Sequence, residues 1–175
     1  EATIESGEIE AKYRSLSGKA AADGYAAYVQ QLKELRERYS SQATNPEVRK
    51  MFDQDFSRRT AFSIVDGARF AATQNKKHNV DSNNSAIDVA TRDISLYPED
   101  NTRFTYNTDL AVRSADAVSR EAGLDGNQAK LRRENVTSLA WQTRLAALAR
   151  QDLTKARELY AATKDKITPE GRVNV

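Results

Sequence analysis

The stretch LAALARQDLTKARELYAATKDKI, residues 145–167, decides the fold class of this chain. Its apolar residues recur every three or four positions on both sides of Arg150-Gln151-Asp152, which is the pattern of two amphipathic helices. Asp152 suits the N-cap, because its short carboxylate can accept hydrogen bonds from free amides in a first turn. So short a connection joins neighbouring helices antiparallel, and small alanines let them approach closely. We therefore predict a C-terminal helical hairpin.

In its local geometry, this stretch resembles a tetratricopeptide repeat. It departs from that family because the chain has no second tandem copy and lacks the full Trp/Gly/Tyr signature. The resemblance therefore implies an antiparallel helix pair and nothing more.

Helix-start signals also recur in the rest of the chain. In each, a turn-forming residue, a proline or a carboxylate stands where a first helical turn tolerates or favours it. No sustained two-residue alternation competes with the helical pattern. We predict an all-α fold, an elongated bundle of about five helices that ends in the hairpin. The signals are Asn45-Pro46-Glu47, Tyr97-Pro98-Glu99-Asp100, Asp125-Gly126-Asn127-Gln128 and Thr168-Pro169-Glu170.

These signals divide the chain into three segments. Residues 1–44 are predicted to form an N-terminal helix or two helices with a break near residues 15–20, residues 45–124 long central helices, and residues 125–175 the hairpin. The polar run from Thr73 to Ser85 can be a loop or an exposed helix. It contains neither glycine nor proline, so we favour a continuous helix. Because the chain begins at Glu1 and stops soon after the signal at Thr168, we expect it to be part of a longer protein.

Apolar residues at helical spacing mark the faces expected to be buried. The N-terminal stripe includes Tyr13, Tyr28, Leu32 and Leu35. The central segment carries a row of Val48, Phe52 and Phe56 and a continuation at Phe62, Val65 and Ala68, and Met51 and Ile64 widen this face. In the C-terminal segment a second apolar side offers a candidate interface with a partner, formed by Trp141, Leu145, Leu148 and Tyr160.

Composition excludes several classes of function. With no cysteine and one histidine, thiol nucleophiles and soft metal sites are nearly excluded. The 27 basic and 25 acidic residues are mixed along the chain, whereas nucleic-acid binders usually cluster their basic residues on one face. Arg58-Arg59, Lys76-Lys77 and Arg132-Arg133 are isolated doublets. Nucleic acid is therefore a partner that the sequence permits but does not indicate. No apolar run approaches the length of a membrane span.

No set of residues assembles a convincing catalytic or metal site. Glu5-Ser6 resembles the start of lytic transglycosylase active sites, but the rest of that motif is missing, and a terminal helix turn explains these residues better. His78 lies in a polar stretch and is expected to be solvated. We predict no cofactor, no metal and no enzymatic activity. The carboxylates considered as ligands of a hard cation are Asp53, Asp55, Asp93, Glu99 and Asp100.

A family resemblance covers about residues 30–170. Leu35-Arg36-Glu37-Arg38-Tyr39, then Thr44-Asn45-Pro46 and Met51-Phe52-Asp53, resemble a recurrent segment of large helical proteins of tailed phages. These are internal-virion or tail-associated proteins, some of which are ejected into the host envelope ahead of the DNA. The likeness extends to scattered arginines and to the closing hairpin. Those further positions are Arg58, Arg59, Arg69, Leu148, Asp152, Ala156, Tyr160 and Ile167.

The resemblance implies a structural role in a virion, with self-association and contacts to other virion proteins, and a place in an oligomeric conduit for DNA. It implies a location in the virion, and in the host periplasm or envelope after ejection. Some such proteins carry a peptidoglycan-cleaving module, which no residues here match. Two alternatives stay open. One is an adaptor that binds a protein partner beside Trp141 and Tyr160, and the other is a helical nucleic-acid-binding protein.

Overall fold

The computed structural model describes residues 1–173, and all of its regular structure is helical. The all-α prediction is confirmed. Seven α-helices and one 3-10 turn form where about five helices were expected, because the N-terminal segment breaks in two and a short helix follows the last turn. The elements are α1 (Ala2–Arg14), α2 (Gly18–Gln42), α3 (Pro46–Leu96), α4 (Asn101–Ala122), α5 (Gly126–Gln151), α6 (Leu153–Thr163), the 3-10 turn (Lys164–Lys166) and α7 (Pro169–Arg172).

The chain forms two compact units. Unit 1 comprises Glu1–His78 and unit 2 begins at Asn79, so the boundary lies inside α3. The sequence places its segment boundaries at residues 44 and 124, which fall at the corners before α3 and before α5 instead. Helix α3 runs through residues 73–85 without a break, as predicted.

Most predicted helix ends are confirmed by their hydrogen bonds. Asp125 accepts from the amides of Asn127 and Gln128, and the Gln128 side chain accepts in return from the Asp125 amide, which makes a capping box. Asp152 caps α6 through the amides of Thr154 and Lys155. Gly123 ends α4 with φ of 68°, a left-handed conformation that glycine adopts at little cost.

The expectation that Pro98 begins a helix is wrong. Helix α4 begins at Asn101, and its N-cap is Asp100, whose carboxylate accepts from the Arg103 amide. Pro98 lies in the corner before it and is buried. Its carbonyl oxygen is engaged by a side chain from α5, so the residue anchors the corner instead of starting the helix.

An aromatic core holds unit 1 together. The rings of Tyr13 in α1 and Tyr28 in α2 stack with centroids 4.5 Å apart and planes 12° apart, and Phe70 of α3 meets Tyr13 edge-on at 5.5 Å. The Tyr13 hydroxyl donates to the Gly67 carbonyl oxygen at 3.1 Å, which joins α1 to α3. Leu32 continues this core, as the N-terminal stripe predicted.

In unit 2, α4 packs against both α3 and α5. One apolar cluster joins Ile87 and Ala90 of α3 to Ala111 and Ala115 of α4. A second joins Ile94 of α3, Phe104 of α4 and Ala140 of α5, with Trp141 beside it. The small alanine side chains in these clusters let the helices approach closely.

Helices α5 and α6 are separated by Asp152 alone and contact each other. Ala156 of α6 is buried, and so is Ile167 just beyond the 3-10 turn. The closer likeness to a tetratricopeptide hairpin stays a prediction. Among residues 1–173, no helix has the length and apolar character needed to cross a bilayer.

Candidate interaction surface

The four residues predicted as an interface do not form one exposed surface. Leu145 and Leu148 are buried in unit 2, with exposed fractions of 1% and 5%. Trp141 and Tyr160 are half-buried, and the Trp141 ring contacts Phe104, with centroids 4.4 Å apart. The two leucines therefore stabilise the fold, and the sequence prediction of them as partner contacts is wrong.

Instead, an exposed apolar surface lies on the first half of α3. Four large apolar side chains there are mostly in solvent: Val48 at 53% exposure, Met51 at 69%, Phe62 at 81% and Val65 at 53%. Asp55 and Arg58 lie between the two apolar pairs on the same face. We call these six residues, Val48, Met51, Asp55, Arg58, Phe62 and Val65, the α3 strip.

The α3 strip lies nearly opposite the face that α3 buries. Phe56 and Thr60 are buried, and Gly67 lies so close to Tyr28 that an added methyl group would be 2.9 Å from that ring. Successive helical residues are 100° apart, so the strip is centred well over 90° away from this buried face. The strip therefore contributes little to the core of unit 1.

Strip residues are spaced alternately by three and four positions. That is the seven-residue repeat with which one helix contacts another along a seam. At the centre of the strip, the Arg58 guanidinium lies 3.0 Å from one Asp55 carboxylate oxygen. Arg59, outside the strip, lies 2.7 Å from the other oxygen. An exposed apolar seam of this kind does not stabilise a monomer. Such a seam is typical of an interaction site.

Helical spacing predicts Phe62 and Val65 on the buried face of α3, and this prediction is wrong because both are exposed. Both fit a helical stripe, but so do Phe56, Thr60 and Gly67 on the other side, which are the residues that are buried. Apolar spacing alone does not say which of two faces the neighbouring helices cover. The sequence from Val48 to Val65 did contain a signal for a second contact face. Its apolar residues follow the seven-residue repeat with which one helix contacts another.

The Glu5 carboxyl is in an environment unsuited to a general acid. It accepts a hydrogen bond of 2.5 Å from the Tyr39 hydroxyl and contacts the Arg38 guanidinium. The Tyr39 hydrogen bond, together with Arg38, lowers the pKa of Glu5. A glycosidase acid requires the opposite shift. Glu5 instead joins α1 to α2.

Other titratable residues named from the sequence are divided between the two units. His78 is half-buried on α3, near Gly18 at the start of α2. Asp53 contacts Arg36 and accepts from the Ser40 hydroxyl in unit 1, whereas Asp93 binds Arg103 and Asn107 in unit 2. Within residues 1–173, no three His, Asp or Glu side chains are grouped so as to hold a metal ion.

The two arginine doublets are engaged within the chain. Arg58 and Arg59 share Asp55. Arg132 donates to the Asn84 side chain at 3.2 Å, and Arg133 lies 3.3 Å from Asp116. These contacts leave less of the arginine charge for phosphate groups.

Comparison with protein-family models, with curated protein sequences and with solved structures gives no match. Among the chain's own surfaces and contacts, the α3 strip is the one that most directly indicates a function.

Proposed function

We propose that this chain is a structural component of a phage virion, either internal or tail-associated, and that it works by assembly with copies of itself and with other virion proteins. Its site is the α3 strip. On this proposal it catalyses no reaction and needs no cofactor. During DNA delivery it passes into the host envelope with the other ejected proteins.

The exposed apolar residues of α3 are the observation that carries the proposal. Burying them costs no rearrangement of the core, because Val48, Met51, Phe62 and Val65 already stand outside it. Each large apolar side chain moved from water into an interface contributes on the order of 1.5–3 kcal/mol when fully buried. A helix that carries four of them on one face is stabilised by covering that face.

One finer feature of the fold belongs to the same proposal. Helices α5 and α6 form a tetratricopeptide-like hairpin. The short connection at Asp152 and the buried Ala156 between the two helices support the hairpin. In this arrangement the hairpin supports unit 2, while α3 supplies the contact with the partner.

The proposal is tested by the protein composition of purified virions. Particles of the phage that encodes this chain are banded twice in a density gradient, digested with trypsin and analysed by mass spectrometry. We expect peptides from α3 and α5 at a stoichiometry comparable with those of known minor virion proteins. Envelope fractions from newly infected cells should contain the same peptides.

A non-structural protein of the same phage, expressed at a similar level in infected cells, serves as the control for contamination. If the chain is abundant in infected cells but depleted from particles as strongly as this control, the structural role is wrong.

A further inference from the structure

The order of residues in the α3 strip is symmetric about its own centre. The midpoints between Val48 and Val65, between Met51 and Phe62, and between Asp55 and Arg58 all fall at the same point, between Phe56 and Ser57. Apolar residues thus occupy matching outer positions. At the two central positions stand residues of opposite charge.

A two-fold axis through that midpoint gives the symmetry a physical meaning. In a two-fold dimer, residue i of one copy contacts residue j of the other, and j contacts i. With two copies of α3 antiparallel, Val48 would face Val65 of the second copy and Met51 would face Phe62. Asp55 would face Arg58 twice, once on each side of the axis. We propose that the α3 strip is the interface at which two copies of this chain pair antiparallel.

Charge selects this arrangement over a parallel one. In a parallel pair, residues of the same number face each other, so Asp55 would oppose Asp55 and Arg58 would oppose Arg58. Like charges placed together in an interface suppress that pairing. The antiparallel arrangement instead replaces the exposed Asp55–Arg58 contact within each chain by two contacts between chains, while Arg59 keeps its contact with Asp55.

The length of the strip allows an estimate of how tightly two copies pair. From Val48 to Val65 the helix rises about 26 Å at 1.5 Å per residue, which gives six layers of paired side chains. A seam of this length is near the lower end of specific interfaces, so we expect a weak dimer whose population depends on concentration.

This pairing rests on the proposed structural role, for which it names the partner and the contact. It is tested first with Phe62→Asp, because Phe62 is the most exposed apolar residue of the strip. The method is sedimentation velocity of the whole chain at concentrations from roughly 10 to 500 µM, a range that brackets the dissociation constant expected of a weak dimer. As the concentration rises, we expect the average mass of the wild type to increase from 19.5 kDa toward twice that value. Phe62→Asp should weaken pairing at least about tenfold, with unchanged helicity.

Val89→Asp is the matched control. Val89 lies on the same helix, is 65% exposed and is outside the strip, so this substitution adds the same charge without touching the seam. The proposal is wrong if the wild type stays monomeric throughout this range, or if Val89→Asp weakens pairing as much as Phe62→Asp. It is equally wrong if the strip becomes covered only when another virion protein or DNA is added.

A charge exchange tests the central contact. Asp55→Arg or Arg58→Asp alone places like charges opposite each other at the axis, so each variant should be mostly monomeric. An equimolar mixture of the two should recover pairing, because one chain then carries two arginines and the other two aspartates. Asp55→Arg/Arg58→Asp in a single chain should pair as the wild type does. Failure of both combinations to recover pairing would contradict the assignment.

The orientation is tested by cross-linking, for which the chain is convenient because it contains no cysteine. Val48→Cys and Val65→Cys are made as separate chains. Under mild oxidation we expect a disulfide-linked dimer only when the two are mixed, since antiparallel pairing places these positions opposite each other. A linked dimer of Val48→Cys with itself would indicate the parallel arrangement and overturn the proposal.

The two proposals fail in different ways. A chain that is present in virions but stays monomeric would refute the pairing and leave the structural role intact. A chain that pairs through α3 but is depleted from particles would refute the role.

Discussion

At the residue scale, two stacked tyrosines in unit 1 differ in one hydrogen bond. The Tyr13 hydroxyl donates to the Gly67 carbonyl oxygen, whereas the buried Tyr28 hydroxyl has no partner among the described residues. We expect Tyr13→Phe to lower the free energy of unfolding by about 1 kcal/mol and Tyr28→Phe to leave it unchanged or raise it slightly. Urea unfolding followed by circular dichroism measures both. Equal losses in the two variants would contradict this assignment.

The same tyrosine makes unit 1 sensitive to alkali. Burial raises the pKa of Tyr28 from 10.0 to about 12. Between those two pH values the unfolded chain loses the phenolic proton and the folded chain keeps it, so the free energy of unfolding falls as the pH rises. We expect Tyr28→Phe to remove part of that fall. The measurement is urea unfolding of both proteins at pH 9 and pH 11.

Gly67 is required for the close approach of α3 to α2. Alanine in a helix interior normally stabilises relative to glycine by about 1 kcal/mol. At Gly67, however, the new methyl group would lie 2.9 Å from the Tyr28 ring. We expect Gly67→Ala to lower the free energy of unfolding by about 1–3 kcal/mol, since the stacked rings must shift.

Gly7→Ala is the matched control, since Gly7 lies in α1 with no atom within 4 Å of the added carbon. It should stabilise by about 0.5–1 kcal/mol. If both glycine variants stabilise the protein in thermal unfolding, the close contact at Gly67 is not limiting.

At the scale of elements, one arginine holds the corner between α3 and α4. Arg144 of α5 is 6% exposed, donates from Nε to the Pro98 carbonyl oxygen at 2.7 Å and also binds the Asn101 side chain. Its guanidinium lies 4.5 Å from the Phe104 ring centre. No carboxylate among the described residues pairs with it, so hydrogen bonds and the aromatic ring compensate for the loss of water.

We expect Arg144→Ala to lower the free energy of unfolding of unit 2 by about 2–4 kcal/mol, because it leaves the buried Pro98 carbonyl without a donor. Arg144→Lys should recover only a small part, since an ammonium cannot reproduce the planar, multiple contacts of a guanidinium. Differential scanning calorimetry of the three proteins measures this. Full recovery with lysine would show that charge alone matters at this position.

Most helix ends were readable from the sequence, but the buried face of α3 was not. Asp125 and Asp152 act through amides two or three residues away, so their local sequence is sufficient to identify them as caps. Whether Phe62 is buried depends on which side of α3 contacts α1 and α2. The tertiary packing of the whole of unit 1 determines that side. Arg144 was missed for a related reason. An arginine that follows Gln142 and Thr143 is typical of a solvated position, and only the structure shows that it binds a buried carbonyl.

At the scale of the whole molecule, α3 belongs to both compact units, and the part at their boundary differs from its flanks. No residue from Thr73 to Ser85 is buried, whereas Phe56, Thr60 and Gly67 on one side and Ile87, Ala90 and Ile94 on the other are. Local opening there breaks few apolar contacts, so it costs little free energy.

We therefore expect backbone amides of residues 76–84 to exchange with deuterium faster than those of residues 58–67 or 88–94, after correction for intrinsic rates. Hydrogen exchange measured by NMR or by mass spectrometry tests this within one helix, so each segment is a control for the others. Uniform protection along α3 would show that tertiary contacts do not limit its opening.

The contact of Trp141 with Phe104 and the nearby Arg144 guanidinium gives unit 2 its own optical reporter. Trp141 is the chain's single tryptophan, while unit 1 contains only tyrosine and phenylalanine rings. Excitation at the red edge of the absorption band reaches indole and hardly any phenol, so its emission follows events in unit 2 alone. Unfolding of unit 2 can therefore be followed by tryptophan fluorescence without an added dye. Far-ultraviolet circular dichroism reports the unfolding of both units together.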